Sequence, residues 1–301
     1  MNSLSFRKNR FNNLQNFYGI NKYNDFLGNW DIPEDILMEF KRSIMLYISS
    51  AMHFEFVDDE NRFMQRLEEN KNNRLNVTPN GAVVPKKEYT LEYNYFIKNY
   101  CKVISKLIEN KPDYLTGFRL TPNVRIKFSD ELEENKNRPQ NTAYPHTDAW
   151  LEGPWGIICH IPLLGDCEKN FLRMYDIKDE NTFSDNLLSL SENFENMQWV
   201  KEHYVVSQYK TKKYALNFCD YALLHETYRT EGAGGRVSVD STLYFDEFEV
   251  VESRKPEYMN HIPKVGEDIF IKVKNSEIEK FYERENAQYH YTFDSLEHVN
   301  L

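Results

Sequence analysis

The chain has 301 residues, with 47 Asp and Glu against 37 Lys and Arg and a formal net charge of −10. That length suits one large domain or two small ones and is ample for a buried core. The acidic balance repels phosphate backbones and argues against nucleic acid as a partner, and no apolar run is long enough to make a membrane helix.

Aromatic residues are abundant, with 20 Phe, 20 Tyr and 4 Trp, and such side chains suit the pleated surface of strands. The four cysteines, Cys101, Cys159, Cys167 and Cys219, form no CxxC pair. They read as buried free thiols in a reducing compartment rather than as disulfides. The first 17 residues lack an apolar stretch of signal-peptide type, so the expectation is a cytoplasmic protein with no membrane partner.

Residues 1–30 are Asn-rich, show no clear period and are expected to be irregular. Asp31 then reads as a cap before Pro33 at a first helical position. From 36 to 51, Ile36, Leu37, Phe40, Ile44, Tyr47 and Ile48 fall at helical spacing. A polar connector over 68–80 leads through Pro79-Asn80-Gly81 to a second amphipathic helix over 89–110, with Leu91, Tyr95, Ile97, Val103, Ile104, Leu107 and Ile108 as its apolar positions.

After Pro112 the texture changes to short, β-branched and aromatic runs bounded by turn residues. Strands are expected within 118–128, broken by Thr121-Pro122-Asn123, and over 155–164, 171–177, 204–209, 214–219, 222–225 and 236–248. A polar loop over 130–142 and a helix-and-loop insertion near 178–202 interrupt them, and 274–285 reads as one more helix. Many short strands without intervening helices indicate a sandwich or barrel. The fold class is therefore α+β: a helical flank (1–115), a β core (116–250) and a C-terminal extension (251–301), forming one domain.

His146-Thr147-Asp148 carries the first chemical signal, because residues i and i+2 of a strand project to the same side. An HxD alone is weak. It gains weight from His225, read as the end of a later strand, because two imidazoles and one carboxylate on one face of an octahedron leave positions open for chemistry at Fe(II). Arg236 follows His225 by eleven residues across the Gly-rich Glu231-Gly-Ala-Gly-Gly235, and Ser238 stands two further on. A planar guanidinium matches a carboxylate, so this pair is the candidate anchor for a dicarboxylate chelating the metal through its other end. His160 reads first as a hydrogen-bonded interior histidine and second as a pocket wall. Tyr144, Trp150 and Trp155 flank the metal motif, as pocket or as core.

HTD followed by H-x10-R-x-S, over roughly 120–248, resembles the signature of the 2-oxoglutarate/Fe(II)-dependent dioxygenase superfamily. Pro145-His-Thr-Asp148 is similar in wording to its plant flavonoid and hormone-pathway members. The resemblance implies a double-stranded β-helix (jelly-roll) core with the metal held by His146, Asp148 and His225. It also implies 2-oxoglutarate held by Arg236 and Ser238, and O2 as oxidant, with release of succinate and CO2. Lys127 and Ser129 stand where the plant enzymes carry the Asn and the last Tyr of an Arg-x-Asn-Tyr-Tyr strand, and Cys219-Asp220 replaces the usual Gly-Asp turn. Halogenating relatives lack a carboxylate at the Asp148 position, so hydroxylation, desaturation or ring formation is implied here. The expected substrate is a small hydrophilic metabolite of sugar or amino-acid type, selected by the 130–142 and 178–202 segments. Two rivals remain: a non-catalytic cupin-like protein that binds a metal or sugar, and a zinc hydrolase using the same three ligands.

Overall fold

The N-terminal stretch expected to be irregular opens with a helix, α1 (Ser3–Tyr18), followed by a hairpin of β1 (Asn21–Asn24) and β2 (Leu27–Asp31). Its buried positions Leu4, Arg7, Phe11, Leu14 and Tyr18 repeat every three or four residues, with Arg10 buried beside them. The period is helical, but two arginines occupy core positions, so an apolar count does not register it. The structure, a computed structural model, describes residues 3–73, 76–130, 140–152, 156–181, 193–245, 269–273 and 296–300.

α2 (Glu34–Ala51) and α4 (Thr90–Ile108) form where their apolar spacing predicts. Pro33 precedes the first turn of α2 instead of entering it, and Asp31 belongs to β2 rather than to a cap. The two helices pack through rings: Phe40 stacks near Phe96, and Tyr47 lies parallel to Phe96 with centroids 5.8 Å apart. Burying each such ring contributes about 2–3 kcal/mol. A further helix, α3 (Glu60–Glu69), starts at Asp59, whose side chain accepts from the Arg62 amide, and buries Phe63 and Leu67.

Seven strands form the larger, antiparallel sheet. They are β1, β2, β3 (Leu115–Phe118), β4 (Asn123–Lys127), β5 (Ile157–Gly165), β8 (Ala215–Asp220) and β10 (Arg236–Phe245), in the order β1-β2-β8-β5-β10-β3. β4 pairs the first half of β10 and β3 its last residues. A smaller antiparallel sheet has the order β7-β6-β9, from β6 (Asn170–Ile177), β7 (Tyr204–Lys210) and β9 (His225–Arg229). A third pair, β11 (Ile269–Val273) with β12 (Leu296–Asn300), is tied to α4 by Asn94, whose side chain bonds both the N–H and the C=O of Ile271. The helix expected over 274–285 and Trp155 lie outside the described residues.

Period-two alternation gives the large sheet two unlike faces. Val124 and Ile126 of β4, Ile157, Cys159, Ile161 and Leu163 of β5, and Val237, Val239 and Leu243 of β10 join α1, α2 and α4 in one hydrophobic cluster. The residues between them, including Asn123, Arg125, Lys127, His160, Arg236 and Asp240, line a cavity on the opposite face. The small sheet contributes to a second cluster with Trp150, Phe194 and the Tyr221–Leu224 turn. Helices and antiparallel sheets thus make a mixed α and β fold. Among the described residues no helix is long and apolar enough to cross a membrane, and all four cysteines are free thiols.

Candidate metal centre and its cavity

His146, Asp148 and His225 converge: one ligand atom from each lies within 4.8 Å of the others. The route differs from the expected strand. His146 makes an isolated bridge with His225, through reciprocal backbone bonds of 2.9 Å. Asp148 follows in a turn before the short helix α5 (Ala149–Glu152). His225 begins β9 instead of closing a strand. After β8 the chain turns, with the Leu223 amide bonded to the Asp220 carbonyl, so the strand expected over 222–225 begins only at His225.

Both imidazoles are held in one tautomer. His146 Nδ1 donates to the Tyr144 carbonyl at 2.8 Å, and His225 Nδ1 to the Leu223 carbonyl at 3.1 Å. Each ring therefore turns a bare Nε2 away from its backbone partner, the atom that ligates a metal. His225 Nε2 is 3.9 Å from an Asp148 oxygen. Burial first, and then the neighbouring His225, push the His146 pKa well below its ordinary value, which keeps the ring neutral and able to ligate. Donor atoms sharing one face of an octahedron at about 2.1 Å from an ion stand about 3 Å apart, so from a spread of 4.8 Å each side chain would draw inward by up to about 1 Å to hold one ion. Phe194, from the segment after 192, stacks on the His146 ring at 4.5 Å with planes 8° apart, and Trp150 meets Phe194 edge-on. Phe194 was not foreseen because it lies in the part of the chain read as an insertion.

Arg236 opens β10 and lines the same cavity as the triad, which has a volume of about 130 Å³. The turn that delivers it is tight. Gly165 has φ +77°, and a Cβ there would stand 2.2 Å from the Gly235 carbonyl oxygen. Asn170 adds bonds from its amide to the carbonyls of Lys127 and Gly234. Arg236 is 1% exposed, and its Nε and Nη1 have no hydrogen-bond partner. Burial lowers its pKa to about 10. An isolated charge in such a place costs far more than a paired one, so the chemistry of the position asks for an anion.

Ser238 shares the Arg236 face of β10 by alternation. It is fully buried and its Oγ lacks a partner, but it stands behind the cavity wall and does not line it. Ser129 turns toward Glu68 of α3, which its amide and hydroxyl both contact, so it does not take the place of a co-substrate tyrosine. Lys127 does line the cavity, opposite Arg236 in the ladder, with its Nζ donating to Thr142 Oγ1 at 3.1 Å. His160 satisfies both of its readings: Nδ1 bonds Asp240 at 2.6 Å, and the ring lines the cavity. Arg125 and Asp240 were missed, although the alternation of polar residues at 123, 125 and 127, and at 236, 238 and 240, is visible in the chain.

No protein-family model matches the sequence, and no curated protein matches it. Among solved structures the chain is similar to SnoN, described as a non-heme alpha-ketoglutarate-dependent epimerase from nogalamycin biosynthesis, at 12% identity and a TM-score of 0.35 over 81% of this chain and 83% of that one. EvdMO1 is similar at 14% identity and a TM-score of 0.40 over 81% of this chain but only 50% of that one. AviO1 from Streptomyces viridochromogenes Tue57 follows at 12% identity and a TM-score of 0.37, over 73% of this chain and 90% of that one. Likenesses this loose, at TM-scores of 0.35 to 0.40, transfer neither an activity nor a substrate.

Proposed function

We propose that the protein is an Fe(II)- and 2-oxoglutarate-dependent oxygenase that hydroxylates a small hydrophilic molecule. The observation that carries this reading is the buried Arg236 guanidinium, two of its nitrogens unpartnered, lining the same cavity as three convergent ligand side chains. On this reading the strands β4-β10-β5-β8 and β7-β6-β9, with the His146 bridge, are the two walls of a jelly roll. The single hydrophobic cluster that includes Phe11 and Val273 supports reading the chain as one oxygenase domain.

His146 Nε2, His225 Nε2 and the Asp148 carboxylate would hold the ion. Two neutral imidazoles and one carboxylate leave a ferrous ion with one net positive charge and open positions, as a chelating 2-oxo acid requires. When bound, the iron and 2-oxoglutarate couple reduction of O2 to decarboxylation of the oxo acid, releasing succinate and CO2. Arg236 would receive the distal carboxylate in its planar fork. Phe194 and Trp150 shield the His146 side from water, which strengthens every charge interaction inside. Asp148 occupies the position that a halide would need.

A zinc hydrolase or a cupin-like binder would leave the buried Arg236 without a purpose. With Fe(II), 2-oxoglutarate and O2, the protein should release succinate, even slowly and without its own substrate. His225→Ala should abolish this, and Arg236→Met should raise the 2-oxoglutarate requirement tenfold or more, since a charge-assisted pair contributes about 1.5–3 kcal/mol. Full succinate formation in Arg236→Met, or oxygen-independent activity with zinc, would overturn the proposal.

A further inference from the structure

The face of the large sheet that carries Arg236 holds a second set of buried polar groups, to which the proposed function assigns no role. Asp240 lies four residues further along β10, about 13 Å at the strand rise. Its ladder partners are Asn123 on β4 and His160 on β5, one on each side. Asp240 Oδ1 takes the His160 Nδ1 bond at 2.6 Å, and Oδ2 accepts from Arg125 Nε. Burial pushes the Asp240 carboxyl up, but the His160 bond and the charges of Arg125 and Arg236 overcome it and hold the group ionised. A charged carboxylate fixes the proton on His160 Nδ1 and leaves Nε2 as a bare acceptor.

Three atoms around this carboxylate are buried without a hydrogen-bond partner: His160 Nε2, Asn123 Oδ1 and Arg125 Nη1. His160 and Asn123 are only 1% and 7% exposed, and all three residues line the cavity beside the triad. Buried polar groups are seldom left unpaired, so three in one cavity wall mark a place for a ligand or for ordered water.

The unused valences define the ligand. Two are acceptors, an imidazole lone pair and an amide oxygen, and one is a guanidinium N–H. A carboxylate or phosphate can accept from Arg125 but has nothing to donate to His160 or Asn123. An ammonium can donate but cannot accept, and the nearby Asp240 charge is already compensated by Arg125, with Arg236 and Lys127 repelling a cation. A hydroxyl both donates and accepts and carries no charge.

We propose that this lane of the sheet is the substrate subsite and that it takes adjacent hydroxyls of a polyhydroxylated, sugar-like molecule. One hydroxyl donates to His160 Nε2 and accepts from Arg125 Nη1; its neighbour donates to Asn123 Oδ1. That the molecule so held is the one oxidised rests on the oxygenase reading. The subsite itself does not.

The test uses the full chain, metal-free and without 2-oxoglutarate. Saturation-transfer NMR is recorded with a panel of methyl hexopyranosides and myo-inositol, and separately with serine, glutamate and succinate. At least one polyol should bind the wild type, with affinity at least fivefold weaker in His160→Leu and in Asn123→Ala. Asn123→Ala leaves the Asp240 ion pairs in place, so it carries the test if His160→Leu does not fold. Succinate binding should be unchanged in Asn123→Ala. The assignment is overturned if no polyol binds, if the amino acids bind in preference, or if polyol binding is unchanged in Asn123→Ala. Since iron is absent, such a failure leaves the oxygenase reading to its own succinate assay. A failed succinate assay, in turn, leaves polyol binding intact.

Discussion

Two buried arginine sites stand at opposite ends of the same chain logic. Arg7 and Arg236 are each 1% exposed. Arg7 meets Asp220 through Nε at 2.8 Å and through Nη2, Arg10 adds a bond to the other oxygen at 3.1 Å, and the Ala222 amide donates to the same carboxylate. Burial alone would lower the Arg7 pKa, yet Asp220 raises it. At Arg236 burial prevails, and the pKa falls to about 10. The first guanidinium finds its anion within the fold and pins α1 to the end of β8. The second has lost its water without gaining a carboxylate in hydrogen-bonding reach, and Asp240 acts on it only through its charge. The first is architecture, and the second is a buried cation on a cavity wall, which the proposed co-substrate would complete.

The largest effect should come from removing the anion of the first site. Asp220→Asn leaves two guanidinium charges buried together and should cost about 3–5 kcal/mol, a fall in Tm on the order of 10 °C. Arg236→Met removes a charge the fold does not compensate. It should leave the Tm of the metal-free protein within about 2 °C of wild type, or above it. Thermal unfolding of both variants side by side reads the contrast. Equal losses would mean that Arg236 is structural too.

That contrast also explains what could be read from the chain. α2 and α4 were legible because Phe40, Ile44, Tyr47, Ile97, Val103 and Leu107 repeat as apolar residues, and burial enforces the period. α1 was not, because Arg7 and Arg10 take inward positions that only the distant Asp220 makes tolerable. α3 escaped because two buried side chains sit among charges. The triad and Arg236 were legible from type and spacing, which survive even though His146 and Asp148 lie in a bridge and a turn. His160 was read as an interior or pocket-lining histidine, but its alignment with Asn123, Arg125 and Asp240 was missed because it depends on which strands adjoin, and register is not local information.

The two sites should also part company with pH. Burial lowers the folded-state pKa of both His146 and His160, despite the Asp240 bond that raises the latter. The unfolded chain titrates near pH 6.5. Below that value the unfolded state binds protons that the folded state refuses, so their stability is full above about pH 6.5 and is lost as pH falls. Asp220 is shifted down instead, so its contribution persists until pH approaches the ordinary carboxylate range. The Tm of the metal-free protein should therefore decline between pH 7.5 and 5.5. His160→Gln should flatten that decline, whereas Arg7 variants should lower Tm without changing its slope. A slope unaltered in His160→Gln would remove His160 from the account.

The finest distinction lies inside the Asp220 cluster. Arg7 directs two nitrogens at one carboxylate oxygen, whereas Arg10 offers a single bond of 3.1 Å to the other. Arg10 is also pulled below its usual pKa, by burial first, with the like charge of Arg7 adding to it. A lysine keeps the charge but not the planar fork. Arg7→Lys should therefore cost about 2–3 kcal/mol and Arg10→Lys only about 1 kcal/mol, read from urea midpoints at constant m-value. Equal costs would mean that net charge, rather than directed hydrogen bonds, holds α1 on the sheet. The directional difference between this cluster and the waiting guanidinium of Arg236 would then rest on the position of the anion alone.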